Sequence, residues 1–130
     1  ENTMLTKTQR PKYLNLFKIR QPVMAVVSIF HRVSGVILFL AIPFLIYWLA
    51  MSVRSPQDFA SASSYFDSPW LKLIGLVLAW ALVHHFFTGI RYLMMDISIG
   101  ENLPAARISA WLVFGIVVVV MLVVIGVMWL

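Results

Sequence analysis

The sequence of 130 residues is 62% hydrophobic, only 12% charged, and carries a formal net charge of +5. Soluble domains hold roughly 25% charged residues, and a chain of this size buries only about two-thirds of its surface in water; a water-soluble globule is therefore excluded and the bilayer is the fitting solvent. The absence of cysteine excludes disulfides, thiolate metal sites, iron–sulfur ligation and covalent haem attachment on this chain.

Residues 1–22 are polar and basic, with Pro11 and Pro22 as breakers, and read as an extended arm with room for one helical turn near Leu14 to Ile19. The arm is too polar, and its apolar run comes too late, for a cleaved signal peptide. Six of the ten Lys/Arg residues (Lys7, Arg10, Lys12, Lys18, Arg20, Arg32) precede or open the first apolar run. That is the pattern of a cytoplasmic flank under the positive-inside rule, and it argues against nucleic acid as the partner of the charge.

From about 23 to 53 the chain is almost wholly apolar, longer than the roughly 20 residues that span a bilayer, so this helix must tilt or project. Pro22 suits its start, and Pro43 is a candidate kink. Residues 54–69 form a polar loop with room for a short helix from Pro56 to about Ser64, and Trp48 and Trp70 suit the interface. A second span runs from about 70 to 95, and a polar loop covers 97–107. A third span, from about 108 to 130, has no charge. The expected fold is thus an all-α membrane protein: a cytoplasmic basic arm (1–22) and a three-helix anchor domain (23–130), with the C-terminus across the membrane in the periplasm.

Ionisable groups at membrane depth are costly and mark functional sites. Here they are His31, Arg32, His84, His85 and Arg91, with Ser28 beside them. His85 precedes Arg91 by six residues, about 9 Å of helix rise, so the groups from two antiparallel spans fall at similar depth, in the cytoplasmic half. Ser28 and Arg32 share a stripe at i, i+4 that Gly35 continues. On the second span His85 and Gly89 share another, which leaves room for something flat beside the imidazole. His84 lies about 100° away around the helix. Plainer readings exist for each: Arg32 can snorkel, Arg91 can snorkel or pair with Asp96, His31 can bond a neighbouring helix, and a lone membrane histidine is more often a packing residue than a ligand. Met94 and Met95 read as apolar helix.

Without cysteine, histidine is the best ligand this chain offers to a haem iron. His85 supplies one axial position, and no second histidine is suitably spaced on its face, so a partner chain must supply the other. Three helices also wall a porphyrin thinly, and both points predict a heteromer.

The segment RPKYLNLFKIRQPVMAVVSIFHRVSGV, with Arg10-Pro11 and then Ser28, His31, Arg32, Ser34 and Gly35, resembles the N-terminal signature of the cytochrome b membrane-anchor subunits of succinate dehydrogenase, respiratory complex II. The segment HFFTGIRYLMMD, from His85 to Asp96, is similar to that family's second signature, H-x-x-x-G-I-R closing on Asp. Tyr92 departs from it where many bacterial relatives carry His, and His84 adds a second histidine; the register to Gly89 and Arg91 selects His85. The resemblance implies a subunit of succinate:ubiquinone oxidoreductase that is not catalytic by itself. It implies haem b shared with a second membrane-anchor subunit and held by His85, ubiquinone as substrate near Ser28 and Arg32, and His31 and Arg32 near the haem propionates. Arg91 is a further propionate or structural candidate. The implied partners are the second anchor, an iron–sulfur subunit on which the arm from Thr6 to Arg20 docks, a flavoprotein subunit and the lipid bilayer, at a bacterial inner membrane. Two alternatives stand beside this: the anchor of a fumarate reductase, and a quinone-binding structural anchor without haem.

Overall fold

The computed structural model describes residues 15–130, and most of the N-terminal arm, including Lys7, Arg10 and Lys12, lies outside them. Within the arm's last residues a single turn forms at Asn15: its side-chain oxygen accepts from Phe17 N at 3.1 Å and its carbonyl from Lys18 N at 3.1 Å. Four helices follow: α1 (Val23–Ser52), α2 (Pro56–Ser64), α3 (Pro69–Asp96) and α4 (Leu103–Trp129), with one 3-10 turn at Tyr65–Asp67 between α2 and α3. Three of them, α1, α3 and α4, are long and apolar enough to cross a membrane. At 1.5 Å per residue, the 30 residues of α1 reach about 45 Å against a hydrocarbon core of about 30 Å. Pro43 lies inside α1, which continues through it.

The helix starts follow local chemistry. Pro22, extended at φ −67° and ψ 153°, caps α1. Ser55 accepts from Asp58 N at 3.0 Å at the head of α2, and Pro56 fills the first helical position, where no N–H is needed. Arg54 Nε then binds Asp58 at 2.7 Å across one turn, and its hydrogen bond holds the Asp58 carboxyl below the usual carboxylate range. The third span begins at Leu103, five residues before the start that hydropathy suggests. Asn102 accepts from Ala105 N at 3.0 Å and Pro104 sits in the first turn, so residues 103–107, expected as loop, are helical.

α3 packs against both α1 and α4, and α1 also touches α4. Apart from Met51, His84 and Arg91, the buried residues of the three spans are small: Val27, Ser34 and Ala41 on α1, Ala81 and Thr88 on α3, and Ala106, Ala110, Val113 and Val117 on α4. Small side chains let helix backbones approach closely, which is how helices associate where lipid tails are as apolar as leucine. The large apolar residues point outward, among them Phe39, Phe44, Leu82, Phe86, Leu122 and Val127. α2 lies across the end of the bundle opposite the start of α1. Trp48 Nε1 donates to the Ala62 carbonyl at 3.1 Å, and Phe66 meets Trp48 edge-on and occupies the space left open at Gly75.

α3 ends in a Schellman-type closure. Ser98 N donates to the Met95 carbonyl and Ile99 N to the Met94 carbonyl, both at 2.9 Å, with Ser98 left-handed at φ 61°. A Cβ in that conformation costs roughly 1–2 kcal/mol, part of which glycine regains. Ser98→Gly should therefore raise the thermal unfolding midpoint in detergent modestly, and Ser98→Val should lower it. Equal midpoints for the two variants would show that this turn carries no strain.

Candidate functional site

The seam between α1 and α3 divides the adjacent histidines to opposite sides. His84 is fully buried on the side of α4. Its ring stacks on Trp80 at 5.6 Å and lies 5.9 Å from both Phe30 and Phe114. Its Nε2 is 3.4 Å from the Val27 carbonyl and 3.3 Å from Thr88 Oγ1, both long contacts. Because a carbonyl only accepts, the Val27 bond needs the proton on Nε2, which leaves Nδ1 a buried acceptor with no partner among the described residues. His84 is a packing residue of the bundle interior.

His85 sits on the other side of the seam, half-buried. Its Nδ1 lies 3.2 Å from the His31 carbonyl and 3.3 Å from Ser34 Oγ. The same acceptor argument puts the proton on Nδ1, so Nε2 carries the free lone pair. Among the described residues Nε2 has no hydrogen-bond partner, and it is not sealed inside the chain. Gly35 makes room for the ring: a Cβ there would stand 3.1 Å from His85 Cε1. His31 stacks on His85, with centroids 4.2 Å apart and planes 10° apart, and its own buried Nε2 has no partner among the described residues. Tyr92 meets His31 edge-on at 5.3 Å, and the Arg91 guanidinium lies 5.5 Å from the centre of the Tyr92 ring.

The residues singled out in sequence thus do not form one cluster. His31 and His85 meet face to face. Ser28, half-buried, and Arg32, exposed, lie on the adjacent stripe of α1 that contains Gly35; among the described residues neither side chain makes a hydrogen bond. Arg91 turns inward, away from Asp96 and the interface. It is 6% exposed, with Nε donating to Ser109 Oγ at 2.9 Å and Nη2 to the Ala106 carbonyl at 3.0 Å, so it ties α3 to α4. Ser34, fully buried, is the contact that sequence reasoning passed over. Its place three residues after His31, beside Gly35, was the available signal.

This arrangement suits a single axial bond to a flat metallocycle. A haem-ligating imidazole needs one bare nitrogen outward and its other N–H held by an acceptor, which fixes tautomer and ring plane. His85 meets both conditions. His31 cannot complete the pair, since opposite axial imidazoles point their nitrogens at each other through the iron, whereas these two rings present their faces. No group of three or more His, Cys, Asp or Glu side chains that could hold a bare metal ion gathers among the described residues. A surface hollow of about 590 Å³ is lined by α4 alone, with Ile108, Trp111 and Val119, and is almost wholly apolar.

The sequence family described as succinate dehydrogenase/fumarate reductase transmembrane subunit matches residues 6–124. The chain is 39% identical over 107 residues to a succinate dehydrogenase cytochrome b556 subunit of Coxiella burnetii, covering 82% of this chain and 86% of that one. It is 34% identical over 107 residues to the subunit of the same name from Paracoccus denitrificans, covering 82% of each. Against that of Rickettsia prowazekii it is 29% identical over 105 residues, covering 81% of this chain and 82% of the other.

The Arg91 bonds make a stability prediction. Arg91→Met removes both charged hydrogen bonds to α4, a loss of about 2 kcal/mol, and should lower the thermal midpoint in detergent, with Arg91→Lys falling between. A midpoint unchanged in Arg91→Met would show that the guanidinium does not brace the helices.

Proposed function

Because the chain belongs to the succinate dehydrogenase/fumarate reductase transmembrane subunit family, we propose that it is the haem- and quinone-binding membrane anchor of a succinate:ubiquinone oxidoreductase. The observation that carries this reading is the state of His85: Nδ1 held by the His31 carbonyl, and Nε2 without a partner among the described residues and not sealed inside the chain. His85 is the axial ligand to haem b from this chain, and a histidine of a second anchor subunit is the other. The open side of the α1–α3 seam, where His31, His85 and Gly35 meet, is the face that this partner and the haem cover. His31 and Arg32 serve the propionates. For Arg91, the bonds to Ser109 and Ala106 favour the structural role over a propionate contact. Bound haem would supply a one-electron relay beside the quinone.

Ser28 and Arg32 line the ubiquinone site. A quinone carbonyl gains negative charge on reduction. The Ser28 hydroxyl donates a hydrogen bond to that oxygen, and the Arg32 guanidinium stabilises the developing anion. A guanidinium keeps its proton in proteins and so is not the proton source; water or a partner's side chain is. The chain alone is not a catalyst. A flavoprotein subunit oxidises succinate and an iron–sulfur subunit delivers the electrons. The basic arm of residues 1–22 faces the cytoplasm of a bacterial cell and docks on the iron–sulfur subunit, and residues 23–130 form the anchor in the inner membrane, with the C-terminus periplasmic. The charge distribution supports this orientation.

Two measurements on the purified complex test these roles. Reduced-minus-oxidised spectra should lose the haem bands in His85→Ala and keep them in His84→Phe; intact bands in His85→Ala would remove His85 as ligand, and absence of bands in the unaltered complex would leave an anchor without haem. Ser28→Ala and Arg32→Leu should cut quinone reduction by about 10-fold or more, the scale of a lost transition-state donor, while succinate oxidation with an artificial dye persists. Unchanged quinone reduction in both would overturn the quinone assignment.

A further inference from the structure

The segment of α1 from His31 to Gly35 forms a seat for the His85 ring. Ser34 is fully buried and its hydroxyl donates to the His31 carbonyl at 2.8 Å, within its own helix. With that proton committed, the oxygen's lone pairs are left for His85 Nδ1 at 3.3 Å. The His31 carbonyl accepts from Nδ1 at 3.2 Å. The ring N–H therefore bridges two acceptors on neighbouring turns of α1. A Cβ on Gly35 would come within 3.1 Å of Cε1 and 3.4 Å of Nδ1, so the seat leaves the ring little freedom to slide toward α1.

We infer that Ser34 is a positioning residue for the haem-ligating histidine, and that with the His31 carbonyl and the gap at Gly35 it sets the tautomer, plane and donor strength of His85. The inference rests on His85 being an axial ligand, as proposed above. An N–H shared by two acceptors is more strongly polarised than one held by a single acceptor, and polarising it makes Nε2 the better electron donor. A better donor favours ferric over ferrous iron. Losing the Ser34 oxygen should therefore raise the haem midpoint potential. It should also let the ring turn, because one of the two directions that fix its plane is gone.

The test uses the whole purified complex, with haem content, redox titration and the ferric low-spin electron paramagnetic resonance spectrum, whose largest g value follows the angle between the two axial ring planes. Ser34→Ala is expected to shift the midpoint positive and move or broaden the largest g value. Ser34→Thr, which keeps the hydroxyl, should return both toward the original. Gly35→Ala should displace the g value by pushing on Cε1. A Ser34→Ala complex with unchanged potential and g value, or with a negative shift, overturns the inference whatever Gly35→Ala does. Should Ser34→Ala lose haem altogether, recovery in Ser34→Thr supports the inference and no recovery counts against it. The His85→Ala spectrum separates the two levels: haem bands retained there remove the ligand assignment itself, whereas bands lost there and an unshifted Ser34→Ala remove only the role of Ser34.

Discussion

A polar atom carried into the hydrocarbon has no water to turn to, so it must be answered within the chain or by whatever the chain binds. The contact between His85 Nδ1 and the His31 carbonyl is where that constraint bears hardest. It crosses from α3 to α1, fixes the depth at which the two helices meet, and decides which imidazole nitrogen stays bare. Ser34 and Gly35 belong to the same contact, one as a second acceptor and one as an absence of bulk. The stripe of Ser28 and Arg32, proposed to line the quinone site, follows from it too, since that stripe contains Gly35 and takes its direction from the way α1 is turned to seat the ring.

The bundle can place such a contact because its interior is built of alanine, valine, serine and threonine. Close backbones bring a carbonyl of one helix within reach of a ring on another; bulkier side chains would hold them apart. The same economy explains why two polar atoms, His84 Nδ1 and His31 Nε2, find no partner among the described residues. An unsatisfied buried acceptor costs about 1–3 kcal/mol. At His84 that cost is set against three aromatic neighbours, Phe30 of α1, Trp80 of α3 and Phe114 of α4, that hold the three helices together. At His31 the atom lies beside the face proposed for a partner.

Much of this was legible in the sequence. Hydropathy indicated three spans and their order, and the polar loop after the first span left room for the short helix from Pro56 to Ser64 that forms there. Depth and face could be counted from helical geometry, which is why His85 rather than His84 was singled out through its register to Gly89. The start of α4 was not legible from hydropathy, because Asn102 and Pro104 initiate the helix in a stretch that Arg107 separates from the long apolar run. Nor was the direction of Arg91. A guanidinium at that depth can reach outward or inward, and only the positions of the Ala106 carbonyl and Ser109 on α4 decide it. Ser34 was hidden for a related reason: a serine in an apolar helix reads as filler until the ring across the seam is known.

The division of labour between His84 and His85 limits how such a chain can change in length. Neighbouring helix positions differ by 1.5 Å and about 100°. Adding or deleting one residue in α3 between the contacts with α4 and the histidines would turn the outward imidazole toward the flank and swing the inward one out of its aromatic nest. Compensation would take about three or four residues, one full turn. Insertions and deletions in chains of this design are therefore tolerated in the segments joining the helices, while the spans themselves evolve by substitution alone.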